Sequence, residues 1–152
     1  MTSAVLVEIA DCVLNDFLAA HAAGKLSQPI VGKRGYVPEF TPGKQSHGVY
    51  QVYVAHDKEE TTRLDRTSIS VEYTIEIGVC CRLPSVDPDT VDPAMYLIQQ
   101  MADFFFDYGL SQPLALWEKN EVYFWGDKER IKYDGAFFAL WDATFRGARN
   151  RL

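Results

Sequence analysis

The stretch ISVEYTIEIGVCCRL, residues 69–83, alternates apolar and polar side chains almost without a break. Ile69, Val71, Tyr73, Ile75, Ile77, Val79, Cys81 and Leu83 fall on one side, and Ser70, Glu72, Thr74, Glu76, Gly78, Cys80 and Arg82 on the other. A period of two is the signature of a half-buried β-strand. At about 3.3 Å per residue it would run roughly 50 Å. A compact chain of 152 residues has a radius of gyration of about 15 Å and spans roughly 40 Å. The predicted strand outgrows that globule, unless Gly78 offers a bulge where it could bend.

Upstream, VYQVYVAH at residues 49–56 forms a second strand candidate, and polar DKEETTRLDR separates the two. This predicts a long antiparallel hairpin whose tip loop, Asp57 to Arg66, is mobile in the free protein and orders on assembly. Residues 3–22 predict a helix, with Val5, Leu6, Ile9, Val13 and Phe17 on one stripe that Leu14 and Leu18 widen. Thr2 or Ser3 can cap its start, and Gly24 can end it in a left-handed turn. Residues 24–35 read as loop closed by GKRG, YVPEF at 36–40 as a short extended piece, and TPGKQSHG at 41–48 as turns.

Downstream, Asp92 can cap a second helix with Pro93 at its first position. It runs to Tyr108 with Met95, Ile98, Met101, Ala102 and Phe105 inward, and Gly109 stops it. EVYFW at 121–125 and AFFALWDATFR at 136–146 read as strands, and residues 113–118 fit neither pattern. The order α, β, β, β, α, β, β predicts one α+β domain over residues 1–152: a mostly antiparallel sheet with a long hairpin and two helices packed on one face.

The net charge of −6 is uneven, since Leu83 to Glu118 contains no Lys or Arg but six acidic residues. The C-terminal RGARNRL is basic. A solvated helix face and a frayed tail explain this simply; a subunit that stacks acidic surface against basic tail explains it too. An acidic chain is poorly suited to tight nucleic-acid binding. No apolar run approaches a membrane span, and the N-terminal residues lack the basic flank of a signal peptide. Three cysteines, Cys12, Cys80 and Cys81, suggest reduced thiols in a cytosolic setting.

No motif carries chemistry. PGKQS lacks the first glycine and the hydroxyl of a phosphate loop. GKRGY could touch an anion but reads more simply as a solvated turn. His21, His47 and His56 form no metal-ligand spacing. Cys80 and Cys81 point to opposite faces of a strand, so they cannot chelate one metal together. Glu72 and Glu76 lie about 13 Å apart along one strand face, too far for paired catalytic carboxylates. No catalytic residue, cofactor or metal is therefore expected. Phe104, Phe105 and Phe106 cannot all face one way on a helix. Phe137, Ala139, Trp141, Ala143 and Phe145 line one strand face while Phe138 and Leu140 start the other, which suggests core on both sides or cover by another subunit.

YVPEF after a basic loop, the polar tip around Leu64-Asp65-Arg66, YTIEIGVCCRL, an acidic Pro-flanked helix start and a last strand ending in Phe-Arg occur in a telling order. From Val5 to Arg146 the chain resembles the neck and tail-completion proteins of long-tailed bacteriophages, and most of all the tail terminators. The resemblance implies a structural virion protein and no enzyme. It implies a self-assembled hexameric ring that ends tail-tube polymerisation and joins tail to head connector. Double-stranded DNA would pass through the bore without sequence-specific binding. The implied partners are sister copies, the tube protein and the connector or stopper protein, with no membrane, in a virion assembled in host cytoplasm. The family offers no active-site residues to carry over.

For such a ring the candidate assembly residues are Asp57, Lys58, Glu59, Glu60, Arg63 and Arg66 on the hairpin, with Tyr36, Pro38, Trp125, Arg149 and Arg151. Glu72, Glu76, Asp87, Asp89 and Asp92 are the candidates for an acidic bore that lets phosphates slide. The alternatives are a head-completion or stopper protein of the same connector, and a small soluble enzyme or ligand-binding domain, which would need a deep pocket with convergent polar groups.

Overall fold

The computed structural model describes residues 4–35, 49–83, 85–125 and 135–150, the side chains of 122–125 and 150 excepted. The elements are α1 (Val5–Ala22), β1 (Ile30–Gly35), β2 (Tyr50–Arg63), β3 (Ser68–Arg82), α2 (Pro88–Tyr108), β4 (Leu116–Trp125) and β5 (Ala136–Asn150). They form one five-stranded sheet in the order β1-β2-β3-β5-β4. β1 pairs with β2 in parallel and every other pair is antiparallel. The fold is α+β with a mostly antiparallel sheet.

The opening stretch is one unbroken strand. β3 pairs with β5 from Ser68↔Asn150 to Arg82↔Ala136 without a register shift. Gly78 sits in regular pairs with Tyr53 and Leu140. The bulge lies instead in β2, between His56 and Lys58, with Asp57 as the extra residue. Val71, Tyr73, Ile75, Ile77, Val79 and Cys81 are each at most 1% exposed. They form one core with Ile9, Val13 and Phe17 of α1, Leu97, Ile98, Met101 and Phe105 of α2, and Phe137, Trp141 and Phe145 of β5. Both helices therefore cover the same face, α1 over β1 and β2, α2 over β4 and β5.

Helices of 18 and 21 residues are about 27 and 32 Å long, shorter than the strand beneath them. The β3 row stays covered as far as Val71 partly because the segment after α2 crosses the sheet there. A methyl on Gly147 would meet the Leu114 carbonyl at 3.3 Å, with the Tyr73 ring at 3.5 Å. The size paradox dissolves: β3 runs along the length of its own core, and the overshoot is confined to the tip and the β2 side.

Several boundaries differ from the sequence reading. Residues Ile30–Gly35, expected as loop, are a strand. Its two glycines and two cations give it little strand propensity, and tertiary pairing overrides that. Gly32 allows the close approach of α1, since a Cβ there would collide with Leu14 Cδ1. α1 starts after Ala4 with no side-chain cap, while Gly24 takes the expected left-handed turn at φ +74°. α2 starts at Pro88 with Asp87 at the N-cap, so Pro93 lies inside the helix. The helix begins one Asp-Pro pair earlier than expected: Val91 N–H bonds the Asp87 carbonyl at 3.0 Å, and the Val91 side chain packs against the core. β4 and β5 extend further than expected, to Leu116 and Asn150. Gly109, at φ +70°, ends α2. The expected pieces YVPEF and TPGKQSHG, and with them Tyr36 and Pro38, lie outside the described residues, as does Arg151.

Candidate functional site

The sheet narrows at one end. β1 stops beside Ala55 and β4 begins beside Arg146. Beyond them, Lys58–Arg63 of β2, the first half of β3 and the end of β5 form a three-stranded ribbon. Asp57–Arg63 belongs to β2, which corrects the expectation of a loop starting at Asp57. Thr61 and Thr62 favour extension, and pairing with β3 carries the charged residues along. The true turn is Leu64–Thr67. Asp65 Oδ1 accepts the N–H groups of Thr67 and Ser68, both at 2.8 Å. These bonds, the Thr67 one foremost, hold the Asp65 carboxyl below its usual range.

The basic C-terminal run is a strand as far as Asn150, and of its arginines Arg146 and Arg149 are engaged at home. Arg146 Nη2 lies 2.6 Å from Glu72 and 2.8 Å from Glu118. Arg149 Nη2 lies 3.1 Å from Glu59, across Tyr73. The Arg146 bond draws the Glu72 carboxyl down, and the same bond raises Arg146.

The structure gathers Asp57, Lys58, Glu59, Glu60, Arg63, Arg66 and Arg149 on this ribbon. Trp125 sits apart, on β4 opposite Ala139, near the other end of the sheet. The bore candidates also split. Glu72 is on the ribbon, whereas Asp87, Asp89 and Asp92 lie beyond Arg82, ten residues and roughly 33 Å further along β3. All three aspartates are exposed, and at the N-terminus of α2 they complement the helix dipole.

Between these ends is a cluster that sequence reading missed. Glu76 is paired directly with Asp142 on β5, and the bulge brings Asp57 to the same place. One carboxylate oxygen from each lies within 4.8 Å of the other two. Burial raises the Glu76 pKa, and the charges of Asp142 and Asp57 raise it further. Such a set can share a hard cation or hold a proton. The signal available in the sequence was Asp142 itself, an acid inside AFFALWDATF, but its partners depend on register and on a bulge.

A hollow of about 420 Å³ opens between the C-terminal ends of α1 and α2. Phe104, Tyr108 and three alanines line it, with Asp16, Lys25 and Ser111 as its polar groups. Asp16 Oδ2 accepts the Ser111 N–H at 2.9 Å and the Cys12 S–H at 3.5 Å. Lys25 stands 4.3 Å over the Tyr108 ring. These contacts pin the loop after α2 to α1, which gives Asp16 a structural role. Cys80 and Cys81 face opposite sides of the sheet as expected, and all three cysteines are buried. Phe106 is the aromatic that points away, 73% exposed beside Trp117. On the helix-free face Tyr53, Cys80 and Phe138 are buried as well, so β5 is apolar on both sides at that end.

Neither models of known protein families nor curated proteins match this chain. Among the described residues, no helix is long and apolar enough to cross a membrane.

Proposed function

We propose that this chain is a ring-forming structural protein of a bacteriophage neck, a tail terminator that closes the tube and receives the head connector. The observation that carries the reading is the ribbon. β2, β3 and β5 are 14, 15 and 15 residues long, and the hairpin side of the ribbon continues past β1 into polar, exposed strand that buries nothing in its own core. Ordering each such residue costs about 1–2 kcal/mol of backbone entropy, which contacts with sister copies would offset. The charge pattern agrees with a DNA conduit, because an acidic wall does not release counterions from the duplex and does not retain it.

The test is assembly on purified tail tubes. Negative-stain imaging should show an annular cap of this protein at one tube end, and light scattering should show a species larger than a monomer. Protein that stays monomeric and ignores tubes would sink the proposal. Gene deletion separates the two neck roles: a missing terminator leaves tails of uncontrolled length, whereas a missing stopper leaves normal tails and leaking heads.

A further inference from the structure

The last two turns of α2 carry charges that work against the helix. Asp103 and Asp107 stand one turn apart and both are exposed. Like charges at this spacing repel, and the C-terminal end of a helix is its negative end. No cation lies in that last turn. Among the described residues neither aspartate forms an ion pair. Asp87, Asp89 and Asp92, at the other end, suit the dipole and need no such explanation. Phe106 shares the face of Asp103 and Asp107 and is 73% exposed, its ring 5.7 Å from Trp117. Of the seven large apolar side chains that stand exposed among the described residues, three, Tyr96, Phe106 and Tyr108, are on α2. A hollow of about 280 Å³ runs alongside, with Tyr96, Asp103, Asp107 and Tyr108 in its lining. The Tyr108 ring already presents its face to the Lys25 ammonium. An acidic face set with aromatic rings suits a partner that brings cations and an apolar anchor.

The hairpin tip has that composition. Leu64 is 61% exposed, with Arg63 before it and Arg66 two residues after, both exposed. Among the described residues neither arginine forms an ion pair, whereas Arg146 and Arg149 are paired within the ribbon. Arg63 Nε donates to the Asp65 carbonyl at 3.1 Å, and the Asp65 carboxylate is taken up by the Thr67 and Ser68 N–H groups. The turn is therefore held from within and its cations face solvent. It does not meet the helix end of its own chain. Phe105 stacks edge-on against Phe145 at 5.4 Å, which places the end of α2 over that part of β5. The turn starts beyond Ser68, which pairs with Asn150, five residues and roughly 17 Å further along the sheet. A contact between tip and helix end joins two different surfaces on two copies, and repetition closes it into a ring.

We propose that the hairpin tip docks on the C-terminal end of α2 of a second copy, Leu64 against Phe106 and the arginines Arg63 and Arg66 against Asp103 and Asp107. This rests on the self-assembly reading above. The double variants Arg63→Glu/Arg66→Glu and Asp103→Lys/Asp107→Lys should each lose at least tenfold in association, measured by analytical ultracentrifugation and by occupancy of tube ends. The tip variant should keep its melting temperature. The helix variant should melt at or above wild type, because lysines suit that helix end, so a damaged fold does not account for the loss. All four changes in one chain set opposite charges together again and should restore association. A mixture of Leu64→Cys and Phe106→Cys proteins, treated with a short bismaleimide, should cross-link preferentially as the mixed dimer. Wild-type association by either double variant, no recovery in the combined chain, or cross-links only between like copies would overturn the tip docking and leave the ring reading intact. A protein monomeric at every concentration, with or without tubes, would overturn both.

Discussion

Glu72 and Glu76 sit on one face of β3, four residues apart, and removing their charges should have opposite effects. Glu76 faces Asp142 directly, with Asp57 beside it. A like-charged cross-strand neighbour destabilises by roughly 0.2–1 kcal/mol; with two neighbours, Glu76→Gln should stabilise by about 1 kcal/mol. That is about 2–4 °C in melting temperature for a chain of this size. The pH sign follows from the direction of the shift. The folded pKa of Glu76 lies above its ordinary value of 4.5, so the folded state binds the proton more tightly than the unfolded chain. The penalty is absent below that ordinary value and develops as pH rises through the raised folded pKa. Thermal melts followed by circular dichroism, in EDTA, should show Glu76→Gln and wild type together at pH 4 and the variant higher at pH 8. Glu72→Gln should melt lower than wild type at pH 8, because Arg146 holds the Glu72 pKa down, and this difference should vanish as pH falls through that lowered value. A Glu76→Gln variant that melts lower at pH 8, or a gain that is the same at every pH, would refute the electrostatic account of the cluster.

Asp16→Ala should destabilise by about 1–3 kcal/mol, since the Ser111 N–H loses its acceptor in a part-buried site; urea unfolding measures it. Pro93→Ala should stabilise by about 2 kcal/mol, the helix-interior penalty of proline less the unfolded-state entropy it removes, with rising helicity as the companion readout. Gly32→Val should lose about 1–3 kcal/mol, because the new side chain meets Leu14 and Leu18 where α1 lies on β1, and hydrogen exchange should rise first along β1.

The sheet was legible where a single strand decides its own burial. The alternation in residues 69–83 named the helix-facing row correctly, because β3 lies inside the sheet and packs against both helices' core. The amphipathic stripes of α1 and α2, and the glycines that end them, were legible for the same reason. β1 was not, since GKR looks like a loop until β2 supplies its hydrogen bonds and α1 needs Gly32. Asp57–Arg63 looked like a loop because charged residues on both faces hide the period of two. The start of α2 was placed one Asp-Pro pair too late; Val91, which only the earlier start brings into the helix, packs against the core. The carboxylate cluster needed three strands in register and an extra residue at Asp57, information that no local pattern contains.

The same geometry narrows where DNA would run in an assembled ring. Glu72 is half-buried and bonded to Arg146, and Glu76 is half-buried between Asp57 and Asp142. Neither offers a fully exposed carboxylate. Asp87, Asp89 and Asp92 do, on a stretch from Leu83 to Glu118 that holds no cation. If the chain forms the proposed ring, the α2 start is therefore the better conduit wall among the acidic candidates. Reversing all three to Lys should make assembled rings retain double-stranded DNA. Retention should weaken with salt, with a slope of about −0.9 per phosphate neutralised. Lys at Glu72 and Glu76 should produce no such retention. Fluorescence anisotropy on labelled duplex, with melting temperatures checked because Lys opposes the α2 dipole, separates the cases. Salt-dependent binding by the ribbon variant and none by the α2 variant would place the conduit at the opposite end of the sheet.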